Sequence, residues 1–231
     1  MAQTNNTQVS GHSFSQPQCI EGSGLFRDFQ IEELDRLHDW IRQGVFQAGH
    51  VFYRPGEPGE VLFIIKSGAA QLYRMSPDGQ KFVFAHLMAQ SFFGEMSFLG
   101  QRMQECFAEA VEDSEICILT QSNLERLISE YPRFALRLVE AMGNRLLHAE
   151  RQLADLALQG LTPRLATFLF KEAKDGVVQG LSHQEIGERL GVYRETTTYA
   201  LNELKSAGII EIGRKQIRIV DVQGLREAST R

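Results

Sequence analysis

Five polar side chains share one face of a helix that is predicted near the carboxyl end of the chain. They are spaced i, i+1, i+4, i+5 and i+8, and they are Arg194, Glu195, Thr198, Tyr199 and Asn202. An arginine can donate two parallel hydrogen bonds to a guanine, and a glutamate can accept one from the amino group of a cytosine. The opposite face carries Thr197, Leu201 and Leu204, which we expect to pack inward. The polar face is therefore predicted to contact base edges in the major groove of DNA.

A helix-turn-helix arrangement is predicted to present this polar face. Ser182 and Glu185 have the spacing of a capping box, which marks the beginning of a first helix. Gly191 suits a left-handed turn, the second helix is predicted over about 193–207, and Gly208 stands where a carboxyl-terminal cap belongs. Two helices around a short glycine-containing turn are typical of DNA-binding helix-turn-helix units.

A β-hairpin with two cations at its tip is predicted directly after the second helix. The alternating runs 210–212 and 217–219 flank Gly213, Arg214, Lys215 and Gln216. From Leu161 to Arg231 there are 11 Lys/Arg against 9 Asp/Glu, whereas the rest of the chain has 13 against 20. This asymmetry favours two modules with different partners. The hairpin suits a wing that contacts phosphates, and the competing interpretation is a small helical domain with a solvated polar face.

The middle of the chain has the pattern of short strands. Between Val45 and Leu119, apolar runs are broken by turn signals at intervals of about 8–12 residues, which is typical of an all-β roll or sandwich. The segment Ser76-Pro77-Asp78-Gly79 separates two alternating runs and predicts a hairpin turn.

A long helix is predicted between the strands and the helix-turn-helix. Ser122 and Glu125 have capping-box spacing ahead of a short helix, and Pro132 is expected to end that helix and begin the next one. The seam of the long helix, over 133–158, repeats at gaps of 3 and 4 residues and consists of Val139, Met142, Leu146, Ala149, Leu153 and Leu156. Such a repeat favours a dimerisation helix; packing on the helix's own domain is the alternative.

The composition excludes several classes of protein. Hydrophobic residues make up 43% and charged residues 23%, which is typical of a soluble folded chain. No apolar stretch approaches the roughly 20 residues that cross a bilayer, and the first 20 residues, a predicted flexible arm, lack a secretory signal. Cys19, Cys106 and Cys117 are too few for a disulfide framework, which favours a cytoplasmic protein. No catalytic set or metal-ligand cluster has the required spacing, so we expect neither an enzyme nor a metal site.

Several short motifs of the chain resemble the cyclic-AMP receptor protein/FNR superfamily of bacterial transcription regulators. The resemblance covers about 25–220. It depends on Pro55-Gly56-Glu57-Pro58, Lys66-Ser67-Gly68, Leu72-Tyr73-Arg74, Asp78-Gly79, Phe93-Gly94-Glu95, Gln184-Glu185-Ile186-Gly187 and Arg194-Glu195-Thr196. It implies an α+β fold with a cyclic-nucleotide-binding-type β-roll (jelly-roll), a long dimerisation helix and a winged helix-turn-helix. We divide the chain into an arm (1–20), the β-roll (21–121), the two helices (122–160), the winged helix (161–226) and a tail (227–231).

The resemblance also implies which side chains contact DNA. Arg194 and Glu195 would contact bases, and Gln184 would lie near the DNA backbone. With the helix face and the wing, the predicted DNA-binding set is Gln184, Tyr193, Arg194, Glu195, Thr196, Thr198, Tyr199, Asn202, Arg214 and Lys215. The family often has a second arginine where this chain has Tyr199. A phenol offers one hydrogen bond instead of two, so we do not expect the family's usual half-site unchanged.

The residues aligned with the family's nucleotide pocket depart from its pattern. Nucleotide-binding members pair a Gly-Glu, here Gly94-Glu95, with an Arg-Ser that aligns with Gln104-Glu105. A carboxylate repels a phosphate, most strongly in a dry site. The dimer-helix positions that would contact the base are Ala149 and Glu150. We therefore expect no cyclic-nucleotide binding of the usual kind, although Arg102 remains an alternative phosphate ligand if the loop shifts by two residues.

No other effector is indicated by the residues, and we expect no cofactor. An iron–sulfur cluster held by four cysteine ligands is excluded because only Cys19 lies in the arm. Haem is not favoured, because His86 and His148 are isolated histidines. Cys106 and Cys117 flank a predicted turn and form a candidate redox pair, with inert packing as the alternative.

The residues together favour a homodimeric regulator of transcription that binds DNA sequence-specifically. The alternative is an effector-dependent regulatory module that acts through protein contacts. We expect two partners, double-stranded DNA with a palindromic operator and a second copy of the chain. We expect no binding to a membrane. RNA polymerase is a further possible partner, with no surface assigned to it.

Overall fold

The computed structural model describes residue 20 and residues 23–56, 61–94 and 106–230. The chain forms two compact units. One unit comprises 1–73 and 85–142, and the other comprises 74–84 and 143–231. None of the helices in the described ranges combines the length and apolar character that crossing a membrane would require.

Eight strands of the described residues form two four-stranded sheets. They are β1 (Arg42–Phe46), β2 (Val51–Tyr53), β3 (Val61–Ser67), β4 (Ala69–Met75), β5 (Lys81–Met88), β6 (Phe92–Gly94), β7 (Phe107–Ala110) and β8 (Ser114–Thr120). The strand orders are β1-β8-β3-β6 and β2-β7-β4-β5, and β8 is antiparallel to both β1 and β3. The predicted all-β region is confirmed. The predicted turn at 76–79 lies between β4 and β5, where Gly79 adopts a φ of 84°.

Short helices pack against the first sheet and complete the apolar core of the first unit. They are α1 (Ile31–Leu37), a 3₁₀ helix (His38–Trp40) and α2 (Gln121–Glu130). Their buried residues Leu37, Leu124 and Leu127 share one apolar cluster with Leu62 and Ile64 of β3. Alternate residues of a strand face the same side of a sheet, and the spacing of Leu62 and Ile64 follows that rule.

The capping of α2 differs from the prediction. Thr120, at the end of β8, has extended backbone angles, and its side chain accepts a hydrogen bond from the amide of Asn123. Ser122 lies inside the helix, so the predicted capping box at Ser122 and Glu125 is wrong. The strand ends directly at the helix, and an N-cap residue must keep the extended conformation that Thr120 inherits from β8.

The predicted long helix is present as α3, which spans Pro132–Leu158 and contains 27 residues. Its proline occupies the first helical position, where a missing amide hydrogen costs nothing because that group has no partner inside the helix. The preceding helix ends at Glu130, as the same proline predicted.

The second unit contains a small domain of four helices and three strands. They are α4 (Leu161–Glu172), β9 (Val177–Gln179), α5 (His183–Leu190), α6 (Arg194–Ser206), β10 (Ile210–Gly213), β11 (Gln216–Ile219) and α7 (Val222–Ala228). The strand order is β10-β11-β9. Buried residues of all four helices, including Leu165, Ile186, Leu201 and Leu225, form one apolar core. The helix-turn-helix and its hairpin are confirmed, whereas β9 and α7 were not predicted.

The candidate redox pair does not form a disulfide. Cys106 is buried and is not disulfide-bonded, so no disulfide joins it to Cys117, which lies buried in β8.

Candidate nucleic-acid interface

Both ends of α5 are fixed by side chains. Oγ of Ser182 accepts a hydrogen bond from the amide of Glu185 at 3.2 Å, and the Glu185 carboxylate accepts one from the amide of Ser182 at 2.7 Å. Burial alone raises the pKa of Glu185, but the hydrogen bonds from Ser182 and the charges of Lys215 and Arg189 together outweigh burial and lower that pKa. At the other end, the guanidinium of Arg164 donates to the carbonyl oxygen of Leu190. The predicted capping box is confirmed.

A close helix crossing determines which face of α6 is exposed. Gly191 has a left-handed φ of 70°. A Cβ atom at Gly187 would lie 2.7 Å from the carbonyl oxygen of Val192 and 2.8 Å from Oγ1 of Thr197, so only glycine fits there. Thr197 is fully buried, and its hydroxyl donates to the carbonyl oxygen of Tyr193. With Thr197 held against α5, the opposite side of α6 faces outward.

The outward side of α6 is the predicted polar face. Arg194, Glu195, Tyr199 and Asn202 are exposed, and Thr198 is half-buried. Thr196, which also belongs to the predicted DNA-binding set, is exposed as well. The inward side consists of Thr197, Ala200, Leu201 and Leu204. The structure therefore gathers the predicted base-reading side chains on one surface, which we call the polar face of α6.

A cleft of about 460 Å³ lies beside this face. It is bounded by the start of α5, the start of α6 and the wing hairpin, and its lining includes Ser182, His183, Gln184, Arg194, Lys215 and Gln216. Gln184, Arg194 and Lys215 belong to the predicted DNA-binding set, and the structure brings them to one cavity. Two cations and the first turn of a helix give this cleft a positive potential that suits a phosphate.

The wing hairpin places its two cations at the tip. Gly213 and Gln216 are paired across β10 and β11, so Arg214 and Lys215 form the turn, and both are exposed. Lys215 adopts a φ of 51°, which the tight turn imposes on it.

His183 is a cleft residue that the sequence analysis missed. Its Nδ1 atom lies 2.9 Å from Oγ1 of Thr198 on the polar face of α6. Burial, and then the charge of Arg194, lower the pKa of His183. A histidine beside a helix cap was the only signal in the sequence, because its contact with Thr198 depends on how the two helices cross.

Tyr193 is the N-cap residue of α6, and its own side chain makes no capping hydrogen bond. Its hydroxyl donates to the carboxylate of Asp78 at 2.9 Å, within the same compact unit. The bond to Asp78 raises the pKa of Tyr193. This predicted DNA contact therefore already has a protein partner.

Comparisons with known proteins agree with this geometry. Residues 43–131 match the family model of the cyclic nucleotide-binding domain, and residues 163–228 match that of the Crp-like helix-turn-helix domain. The chain is 28% identical over 210 residues to the cyclic AMP receptor protein of Thermus thermophilus, covering 90% of this chain and 97% of that protein. It is 27% identical to the global nitrogen regulator of a Synechocystis strain, covering 80% and 87%. A solved transcriptional regulator of the CRP/FNR family, also from Thermus thermophilus, superposes with a TM-score of 0.70 at 27% identity, covering 82% and 99%.

The chain belongs to the cyclic-AMP receptor protein/FNR superfamily. It is a transcription regulator with a DNA-binding helix-turn-helix, so the α5–α6 pair is the helix-turn-helix of this superfamily.

The candidate seam of this CRP/FNR-family regulator is largely exposed on α3. Val139, Leu146 and Leu153 are 67%, 61% and 67% exposed, and Ala149 is exposed as well. Met142 differs, because it is half-buried and packs against the apolar core of the first unit. The seam repeat therefore includes one residue, Met142, that packs on the protein's own core and not on the exposed face of α3. The sixth predicted residue, Leu156, lies in α3, and its side chain is outside the description.

Only part of the predicted effector pocket falls within the described residues. Gly94 is buried at the end of β6, and Ala149 and Glu150 are exposed on α3. Glu95, Gln104 and Glu105 lie outside the described residues. The effector pocket therefore stays a prediction, because three of its six residues lie outside the described ranges.

Proposed function

We propose that this family member is a homodimer that binds a palindromic operator sequence-specifically and does not bind cyclic AMP in the usual way. The observation that carries the proposal is the polar face of α6, with Arg194 and Glu195 in its first turn. Beside that face, Gln184 and Lys215 line one cleft. Base-reading groups and phosphate-binding groups thus meet on one surface, as specific DNA binding requires.

The exposed side of α3 supports a dimer. Val139, Leu146 and Leu153 recur at intervals of seven residues, the heptad repeat of a coiled-coil seam, and each is more than half exposed in the single chain. Large apolar side chains that recur on one helix face mark a protein-binding surface. A second copy of α3 carries the same repeat, so the apolar faces of two copies would cover each other.

The sequence supports a departure from the usual nucleotide site. Gln104 and Glu105 replace the family's Arg-Ser, so a cyclic phosphate would meet a carboxylate instead of a guanidinium. The T. thermophilus relative is named a cyclic AMP receptor protein, and the Synechocystis relative a global nitrogen regulator. The names of these two relatives thus refer to different signals.

Selection from random-sequence DNA tests the proposal. Purified full-length protein is used to enrich duplexes with and without cyclic AMP, in parallel with the Arg194→Ala variant. We expect two inverted half-sites, about 34 Å apart between centres, enriched equally in both conditions, with the preference at one position of each half-site relaxed in the variant. A single half-site would contradict the dimer, and enrichment only with cyclic AMP would contradict the altered pocket. No enrichment in either condition would favour a module that acts through protein contacts.

A further inference from the structure

Thr198 and His183 form a contact inside the interface. His183 is the first residue of α5, and Thr198 lies in the second turn of α6. Nδ1 of His183 is 2.9 Å from Oγ1 of Thr198. The same Oγ1 atom is 2.9 Å from the carbonyl oxygen of Arg194, one helical turn earlier.

The two contacts determine the direction of both hydrogen bonds. A hydroxyl has one proton, and a carbonyl oxygen can only accept. Thr198 therefore donates to Arg194 and must accept from His183, whose Nδ1 carries the hydrogen. In the neutral ring, Nε2 is then the unprotonated nitrogen.

The only hydrogen of the Thr198 hydroxyl and one of its two lone pairs are thus used within the protein, so the hydroxyl has no hydrogen left to donate to a base. The γ-methyl group belongs to a half-buried side chain on the polar face of α6. In the major groove, the methyl group of threonine is an apolar partner for the C5-methyl group of thymine. A threonine with a free hydroxyl would instead offer a hydrogen bond to several bases.

We propose that His183 is a positioning residue of the interface, which holds Thr198 so that its methyl group meets a thymine of the operator. This inference depends on the proposed function, because it requires the polar face of α6 to enter the major groove. His183 contributes specificity through Thr198.

The charged groups around His183 add a dependence on pH. Arg194 of α6 and Lys215 of the wing line the same cleft as His183, and the charge of Lys215 acts on Glu185 of α5 as well. Burial and Arg194 lower the pKa of His183, so the ring is neutral at pH 7 in free protein. A DNA phosphate in the cleft favours the protonated ring and raises that pKa. DNA binding then takes up a proton, so affinity increases as the pH falls from 8 to 6.

The test uses the duplex enriched by selection, in which each thymine is replaced in turn by deoxyuridine, the same base without its methyl group. We expect wild-type protein to lose affinity about 3- to 5-fold at one thymine of each half-site, the effect of one buried methyl group. His183→Ala should bind thymine and deoxyuridine equally at that position. His183→Asn retains a donor close to the position of Nδ1, so it should keep the preference while losing the pH dependence.

Thr198 provides an independent test from the other side of the contact. Thr198→Val has nearly the same shape and keeps a methyl group in place, so the thymine preference should survive. Thr198→Ser should lose it. A thymine preference that persists in a folded His183→Ala protein would overturn the positioning role. More than 10-fold weaker binding by Thr198→Val would show that the hydroxyl contacts DNA, which also overturns it. If wild-type protein enriches no duplex at all, the proposed function has failed instead.

Discussion

Two helices of this regulator leave one face uncovered in the described residues, and the two faces differ in chemistry. The outward side of α3 carries Val139, Leu146 and Leu153. The outward side of α6 carries Arg194 and Glu195, followed by further polar residues. The other side of α6 is buried in the core of the winged helix, whereas the described side chains of α3 are buried only at Phe134 and Leu138, in its amino-terminal part. The same secondary structure therefore presents an apolar surface in one place and a polar one in the other.

The difference indicates two kinds of partner. Burying apolar surface yields about 25 cal/mol per Å² and is non-directional, so the α3 face gains most by packing against another apolar surface. Guanidinium and carboxylate groups lose their hydrogen bonds to water when they are buried. Only a partner with matching donors and acceptors replaces those hydrogen bonds. A base edge supplies such a pattern.

The largest expected effect is at the α3 face. Leu146→Glu places a charge in the centre of the predicted seam, where a second copy would have to bury it. We expect the variant to be a monomer at micromolar concentration and to bind the full operator more than about 100-fold more weakly, because the two half-sites would no longer be bound together. Sedimentation equilibrium and fluorescence anisotropy measure the two effects.

A matched variant distinguishes the face from the helix. Asn144→Glu introduces the same charge into α3 on roughly the opposite side, at an exposed position. It should remain dimeric with unchanged operator affinity. If both variants dissociated, the loss would reflect α3 as a whole, and the proposed contrast between the faces would be wrong.

The second effect is at the α6 face. Arg194→Ala should cost about 1–3 kcal/mol on the selected operator and relax base preference at one position of each half-site. Random-sequence DNA should be affected much less. Arg226→Ala removes the same charge from exposed residues of α7, outside the polar face and the cleft, and should preserve the preference. If Arg194→Ala weakened binding to the operator and to random-sequence DNA equally, Arg194 would not be a base-reading residue.

Local signals in the sequence predicted most of the elements that build these faces. The alternation of the strands, the capping box at Ser182 and the left-handed Gly191 each depend on neighbouring residues, and the structure has all three. The missed elements have weak local signals. Strand β9 has three residues, and α7 has seven with a glycine inside.

Contacts between distant residues were beyond the sequence patterns. Met142 has seam spacing, but it packs on the core of the first unit because the early part of α3 serves that core as well. The contact between His183 and Thr198 exists because α5 and α6 cross closely at Gly187. Neither contact could be predicted from a periodic pattern in the sequence.

A smaller effect is expected from the helix that supports the α6 face. Ser182→Ala removes the N-cap of α5 and should lower the free energy of unfolding of the winged helix by about 1 kcal/mol. The lowered pKa of Glu185 depends partly on Ser182. That lowered pKa contributes stability above its ordinary value of 4.5, and the contribution is lost as the pH falls through the pKa in the folded state. Urea unfolding from pH 7 to 3 should therefore show a shallower loss in the variant.

A suitable control is Thr196→Ala, which shortens an exposed side chain without removing a cap. Its free energy of unfolding should stay within about 0.5 kcal/mol of the wild-type value. The Ser182→Ala protein should also keep its base preference, since its polar face is unchanged. A changed preference would mean that Ser182 itself contributes to specificity.

The smallest effect is expected at the wing, where the predicted contact is with phosphate and would carry no sequence information. Lys215→Ala should weaken operator and random DNA alike by a few-fold, and reduce the slope of log K against log salt by about 0.9 for each subunit. Lys171→Ala, which removes an exposed cation of α4 outside the cleft, should leave that slope unchanged. An unchanged slope in Lys215→Ala would remove the wing from the DNA-binding surface. Specific and nonspecific binding would then both depend on the helix-turn-helix, and the cleft beside α6 would need a different cation to bind the backbone.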